Sequence, residues 1–221
     1  RAAENLTWLG RYIERSEDTV RVLRAYHVRL AETSDPEMPL LADIRDYLEP
    51  FGIEIETAIP LGLIGMLDSA VYSAGQIRDR FSPDGWLALK DLSKTIHKFA
   101  GTARTLARLT GNGAPDGALD MMLEIGDSVM THRRQYPVQA GRRTVIDLLA
   151  LDPLNPRSIL FQLERLRAEI GMLPSVGGEG HMSPAAKEIL QLNTAIAVME
   201  PQDMTAKVLD DLANQIGDLY N

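Results

Sequence analysis

Apolar side chains recur at three- and four-residue steps along almost the whole 221-residue chain, and no stretch sustains a two-residue alternation. That spacing matches a helix turn and not a strand pleat, so the chain is restricted to helices packed on helices. The pattern predicts helices near residues 3–32, 39–49, 60–80, 84–109, 117–136, 142–150, 156–172, 184–199 and 202–219. Proline- and glycine-rich breaks punctuate them: "SDPEMP" after the first, "SPDG" before the fourth and "TGNGAPDG" after it. In "FGIEIETAIP", Ile53, Ile55 and their β-branched neighbours would suit a short strand or an extended loop, and loop is the reading adopted. The prediction is an all-α bundle of about eight to nine helices, forming a single domain over residues 1–221. A flexible joint is expected at 174–183, within "PSVGGEGHMSP", before a last helical pair.

Size and charge narrow what such a bundle does. A chain of this length removes roughly 70% of its unfolded surface on folding, enough for a real core. There is no cysteine, so disulfide and thiol chemistry are excluded. The net charge of -8 argues against nucleic acid, which needs a basic face to neutralise phosphates. No apolar run approaches a membrane span, and a cytoplasmic location with no membrane partner is the expectation. The cations are mostly arginine, since Lys90, Lys94, Lys98, Lys187 and Lys207 are the only lysines. Arginine's planar fork suits carboxylate and phosphate, although codon usage in a GC-rich genome would give the same excess.

Three blocks carry polar residues at positions where a structural helix prefers aliphatics. In "NLTWLGRYIERSEDTVRVLRAY", Leu6, Leu9, Ile13, Val20, Leu23 and Leu30 fall in one arc at about 100° per residue. Asn5, Ser16 and Thr19 project inside that arc and Arg15 lies at its border, whereas Glu14 lies about 100° away, towards the polar side. Buried polar groups need partners, so Arg15 is expected to point inward with Glu14 bracing it. Arg11, Glu17 and Arg21 read as a solvated face with pairs at i,i+3 and i,i+4.

In the second block, "EIGDSVMTHRRQY", Asp127, Ser128, Thr131 and Arg134 cluster beside an apolar stripe. Ser128 and His132, four residues apart, have the spacing of a nucleophile and base, but a polar network around buried arginines is the preferred reading. In the third, "LDPLNPRSILFQLERLR", Asn155 before Pro156 reads as a helix N-cap. Arg157 and Ser158 in the first turn would then offer an anion site, against the plain alternative of a capped helix. His27, His97, His132 and His181 never fall at metal-ligand spacing, and no metal site is expected.

Together these blocks resemble the bacterial alpha-E family, an all-helical domain named for its Glu-Arg motif; "IRDRFSPDGW" is similar to the segment between them. The resemblance assigns Asn5, Gly10, Arg11, Glu14 and Arg15 to the first block, and Arg78 to the linking helix. It places Asp127, Ser128, Arg133 and Tyr136 in the second block, and Asn155, Pro156, Arg157 and Ser158 in the third. Two departures stand out. His132 replaces a usual tyrosine, and the second Glu-Arg helix expected after "KFAG" is absent, the chain passing from Gly101 straight into "TARTLARLTG". The family typically accompanies a circularly permuted ATP-grasp protein, which implies a part in ATP-dependent amide or peptide-bond formation.

On that resemblance the expected role is an accessory domain for an ATP-grasp partner acting on a small peptide or amino-acid-like substrate. No cofactor would bind here, with ATP and Mg held by the partner. Arg15, Arg78, Arg133, Arg157 and Ser158 would hold an anion, supported by Asn5, Glu14, Asp127, Ser128, Tyr136 and Asn155. Two alternatives stand beside it: a stand-alone acyl-transfer or hydrolytic enzyme, and a scaffold whose motif arginines are all paired internally.

Overall fold

The computed structural model describes residues 2–33, 35, 38–53, 55, 60–77, 83–171 and 182–218. Ten α-helices occur among them: α1 Ala2–Glu32, α2 Pro39–Leu48, α3 Leu61–Ile77, α4 Pro83–Leu109, α5 Ala118–Ile125, α6 Val129–Gln135, α7 Arg142–Ile146, α8 Ile159–Gly171, α9 Pro184–Ala197 and α10 Ala206–Asp218. A 3-10 turn, Glu49–Phe51, follows α2, and a wider π-type turn, Asp147–Leu151, continues α7. No strand is present among the described residues. The all-α expectation holds, with one or two more helices than foreseen.

The extra helices come from chain breaks that periodicity does not register. The helix expected over 117–136 ends at Gly126, and Asp127 takes a left-handed conformation, φ 48°. Gly126 sits where a Cβ would meet Leu149 at 2.8 Å, so the turn is pressed against the core. The third block starts later than expected. Ser158, not Asn155, caps α8: its hydroxyl accepts from the Phe161 N–H at 3.0 Å. Asn155 instead accepts from the Arg157 N–H, two residues on, in a turn ahead of the helix. Pro156 therefore lies outside the helix. Most of the joint expected at 174–183 lies outside the described residues. Beyond it, α9 packs on α8 and α10 on α4.

Two long helices organise the rest. α1 packs between α3 and α4 and also meets α5 and α2, while α4 carries α8, α10 and α5. Gly10 meets Ser93 and Asp18 meets Gly101, a step of eight residues on both helices, so α1 and α4 run side by side in the same direction. A Cβ on Gly10 would lie 1.8 Å from the Ser93 hydroxyl, and one on Gly101 would lie 2.1 Å from the Asp18 carboxylate. The two glycines thus let the helix axes approach, and with them the polar residues they carry.

The main core gathers Phe99, Leu106 and Leu109 of α4 with Met121, Met122, Ile146, Leu149 and Leu163. Complete burial of each such side chain is worth about 1.5–3 kcal/mol. A smaller cluster, Leu6, Leu9 and Ala70, joins the first half of α1 to α3. Arg142 ties the core's edge together, donating to the carbonyls of Thr110 (2.9 Å), Pro201 (3.4 Å) and Met204 (2.6 Å).

Candidate functional site: an arginine-lined cavity beside α1

The Glu-Arg pair divides between two sides of α1. Glu14 is buried, 3% exposed, and its carboxylate stands 3.8 Å from the Lys94 ammonium on α4. Burial raises its pKa above the ordinary carboxylate value, with a further push from Glu17. Arg15 is solvent-exposed and lies with its guanidinium 5.1 Å from the centre of the Phe51 ring. The expected orientation is therefore reversed: the acid goes inward and the arginine reaches the surface. The reason is that α1 is covered on several sides, not one. Val20, placed in the apolar arc, is 50% exposed, while Glu14, Ser16 and Thr19 are buried.

Arg15 stands at the wall of a small cavity of about 60 Å³ that opens to solvent between α1, α4 and the α2 region. Arg11, Asp18 and Thr19 of α1 line it with Tyr47 and Phe51, and α4 contributes His97, Gly101 and Arg104. Three guanidinium groups share this space, and none lies within ion-pairing distance of a carboxylate among the described residues. Arg11 rests on Trp8, 4.6 Å from its ring centre, and Arg15 on Phe51. Such contacts hold a cation in place without neutralising it.

The groups feel each other. Desolvation lowers the pKa of Arg15, and Arg11 and Arg104 lower it further. His97 is held down to about 4 by burial and then by Arg11, against a hydrogen bond to the Thr7 backbone. Its imidazole is neutral near pH 7. Asp18 is pushed up to about 7, first by desolvation and then by Glu14. Tyr47, raised by burial, shares a 3.4 Å hydrogen bond with Thr105. The wall thus presents three cations, one neutral imidazole, a phenol and one poorly solvated acid.

The other arginines named from sequence do not reach this cavity. Arg157 pairs with Asp127 at 3.3 Å and approaches Glu17 at 3.9 Å, and Glu17 also bonds Arg21. The three blocks do meet, but through Glu17 and Arg21 rather than through Glu14 and Arg15. Arg133 is exposed and borders a different cleft, near Arg29 and His132. Arg78 lies outside the described residues. Ser158 is fully buried and its hydroxyl, besides capping α8, donates to the Asp152 carbonyl, which leaves it no face towards a ligand.

Ser128 donates to the Gly126 carbonyl at 2.9 Å and accepts from Asn155 at 3.3 Å. His132 meets Thr144 at 2.8 Å, so the two do not form a nucleophile and base. Asn155 also donates to the Leu148 carbonyl, and Tyr136 donates to Asp147 at 2.5 Å. These residues brace the α5–α8 connections. Asn5 is half-buried on α1. Among the described residues, no group of three or more His, Asp or Glu side chains is placed to hold a metal ion, and no helix is long and apolar enough to cross a membrane.

Sequence reasoning missed Arg104, Asp18, His97 and Tyr47, and assigned Arg11 to a solvated face. A signal existed: His97, Gly101 and Arg104 follow each other at steps of four and three, a polar stripe on an otherwise core-forming helix. It becomes meaningful only once α4 is known to lie alongside α1.

The Alpha-E family model, described as a predicted alpha-helical domain with a conserved ER motif, matches residues 1–113 and 100–221. The chain belongs to the Alpha-E family. Relatives include the uncharacterized proteins Rv2567 of Mycobacterium tuberculosis (strain ATCC 25618 / H37Rv) and Mb2597 of Mycobacterium bovis (strain ATCC BAA-935 / AF2122/97). Each is 23% identical over 308 residues, covering 99% of this chain and 34% of the relative. The Alpha-E chain described here therefore spans about a third of these relatives' length. The aligned stretch is also much longer than the chain itself, so the relatives carry residues within the matched region that have no counterpart here. The two family matches meet at 100–113, within and just after α4, where Gly101 and Arg104 border the cavity. No solved structure matches.

Proposed function

We propose that this Alpha-E domain is an anion-binding accessory module of an ATP-grasp-type amide-forming system, with Arg11, Arg15 and Arg104 holding a carboxylate or phosphate group. The observation carrying this reading is the company these arginines keep. In a chain with a net charge of -8, three guanidinium groups line one cavity with no carboxylate partner among the described residues, and Arg11 and Arg104 add to the desolvation that lowers the proton affinity of Arg15. Crowding like charges costs free energy that an oxyanion would recover through charge-assisted hydrogen bonds. A purely structural motif would pair its arginines, as Arg157 is paired.

The partnership with an ATP-grasp protein rests on the family resemblance. In it the partner supplies nucleotide chemistry, and this domain presents the substrate's acidic group. Calorimetric titration of the chain with acetate and with inorganic phosphate tests the binding step. One saturable site is expected, weakened tenfold or more in Arg15→Gln and Arg104→Gln and unchanged in Arg133→Gln. Equal binding by all four proteins would remove the reading. ATP-dependent amide formation by the complete system should fall in the same two variants.

A further inference from the structure

One acid shares the cavity with the arginines, and its position narrows what kind of anion enters. Asp18 projects from α1 into the wall and packs against the bare Cα of Gly101, where no side chain separates it from α4. Its carboxylate is half-buried and, among the described residues, makes no ion pair and no hydrogen bond. The neighbouring arginines do not neutralise it, because Arg11 and Arg15 are laid against Trp8 and Phe51.

We infer that the cavity takes a small zwitterion, an ammonium group next to a carboxylate or phosphate, with Asp18 receiving the ammonium while Arg15 and Arg104 hold the anionic end. This rests on the anion-binding reading and adds the ligand's second charge. A simple anion would leave Asp18 facing a like charge in a poorly solvated space. An ammonium turns that repulsion into a pair and supplies donors to a carboxylate that has none among the described residues. Charge balance agrees: the ligand's two ends match the two signs on the wall. The acid's environment agrees as well, since burial, Glu14 and Glu17 oppose its ionisation more than Arg21 and Lys98 favour it. A bound cation would reverse that balance.

The test is a calorimetric titration at pH 8 with glycine and 2-aminoethyl phosphate, set against acetate and inorganic phosphate, on the wild-type chain, Asp18→Asn and Arg104→Gln. At least one zwitterion should bind tenfold or more tighter than its amine-free counterpart, and the better pair identifies the anionic end. Asp18→Asn should erase that preference while binding the simple anion as well as before or better. Arg104→Gln should weaken every ligand. Equal binding of zwitterion and simple anion by the wild type, or a preference surviving in Asp18→Asn, overturns the inference and leaves the anion site standing. Absence of binding by all four ligands overturns both.

Discussion

Arginines serve two opposite purposes on two faces of α1. Towards α5 and the start of α8, Arg29 grips Glu124 with two hydrogen bonds of 2.9 and 3.1 Å, and Arg157 reaches Asp127 and Glu17. Towards α2 and the second half of α4, Arg11, Arg15 and Arg104 gather with no carboxylate partner among the described residues. The first arrangement closes on itself and stabilises the fold. The second remains charged and open at the surface, which costs stability and suits a ligand. Arginine content alone therefore says little; what matters is whether each guanidinium already has its counter-charge.

Substitutions on the two sides should separate these roles. The largest effect is expected where an arginine serves only the fold. Arg142→Ala removes the donor to three backbone carbonyls and should cost about 2–4 kcal/mol in urea unfolding, with anion binding intact. Asp18→Asn should act with the opposite sign. Its folded pKa of about 7 lies above the ordinary 3.8, so the folded chain holds a proton that the unfolded chain releases. Stability is lost as pH rises between those values, and the variant should gain on the wild type across that window, reaching about 1–3 kcal/mol above pH 7. A constant gain at all pH values would contradict the assignment.

His97 runs the other way. Held at about 4 against an ordinary 6.5, it makes the fold lose stability as pH falls through that range, because only the unfolded chain takes up the proton. His97→Gln should flatten the acid limb of the stability profile. Gly101→Ala drives a methyl group into the Asp18 carboxylate. It should cost about 1–2 kcal/mol and weaken binding at the cavity while leaving the Arg29 side unaffected. The smallest change is expected at Gln202, an exposed residue bonded only to exposed Glu200 among the described residues; Gln202→Ala should stay within about 0.5 kcal/mol.

Much of the fold was legible because long helices repeat their pattern many times. The first and fourth helices lie within a residue or two of their expected ends, and α9 begins at Pro184 as expected, with Ser183 as its cap. Boundaries failed where a single backbone conformation decided them, as at Asp127, or where two capping residues competed, as Asn155 and Ser158 did.

The site was harder to read. Asp127, Ser128, Asn155 and Arg157, expected to serve an anion site, are instead hydrogen-bonded to one another and form a structural brace. The cavity draws on residues far apart in sequence, Arg15 and Arg104 among them, brought together by the α1–α4 packing that Gly10 and Gly101 permit. One-helix periodicity cannot register that packing. It also misassigned the Glu-Arg pair, since a helix covered on several sides has no single inward direction.

The central claim is that the cavity arginines are held for a ligand and not for the fold. Urea unfolding of Arg104→Gln beside Arg29→Ala, each with and without inorganic phosphate at matched ionic strength, tests it directly. Arg104→Gln should match or exceed the wild type without phosphate and lose most of the stabilisation that phosphate confers; Arg29→Ala should be less stable in both conditions and keep that gain. If Arg104→Gln is destabilised as much as Arg29→Ala and gains as much from phosphate as the wild type, the cavity arginines belong to the fold and the account is wrong.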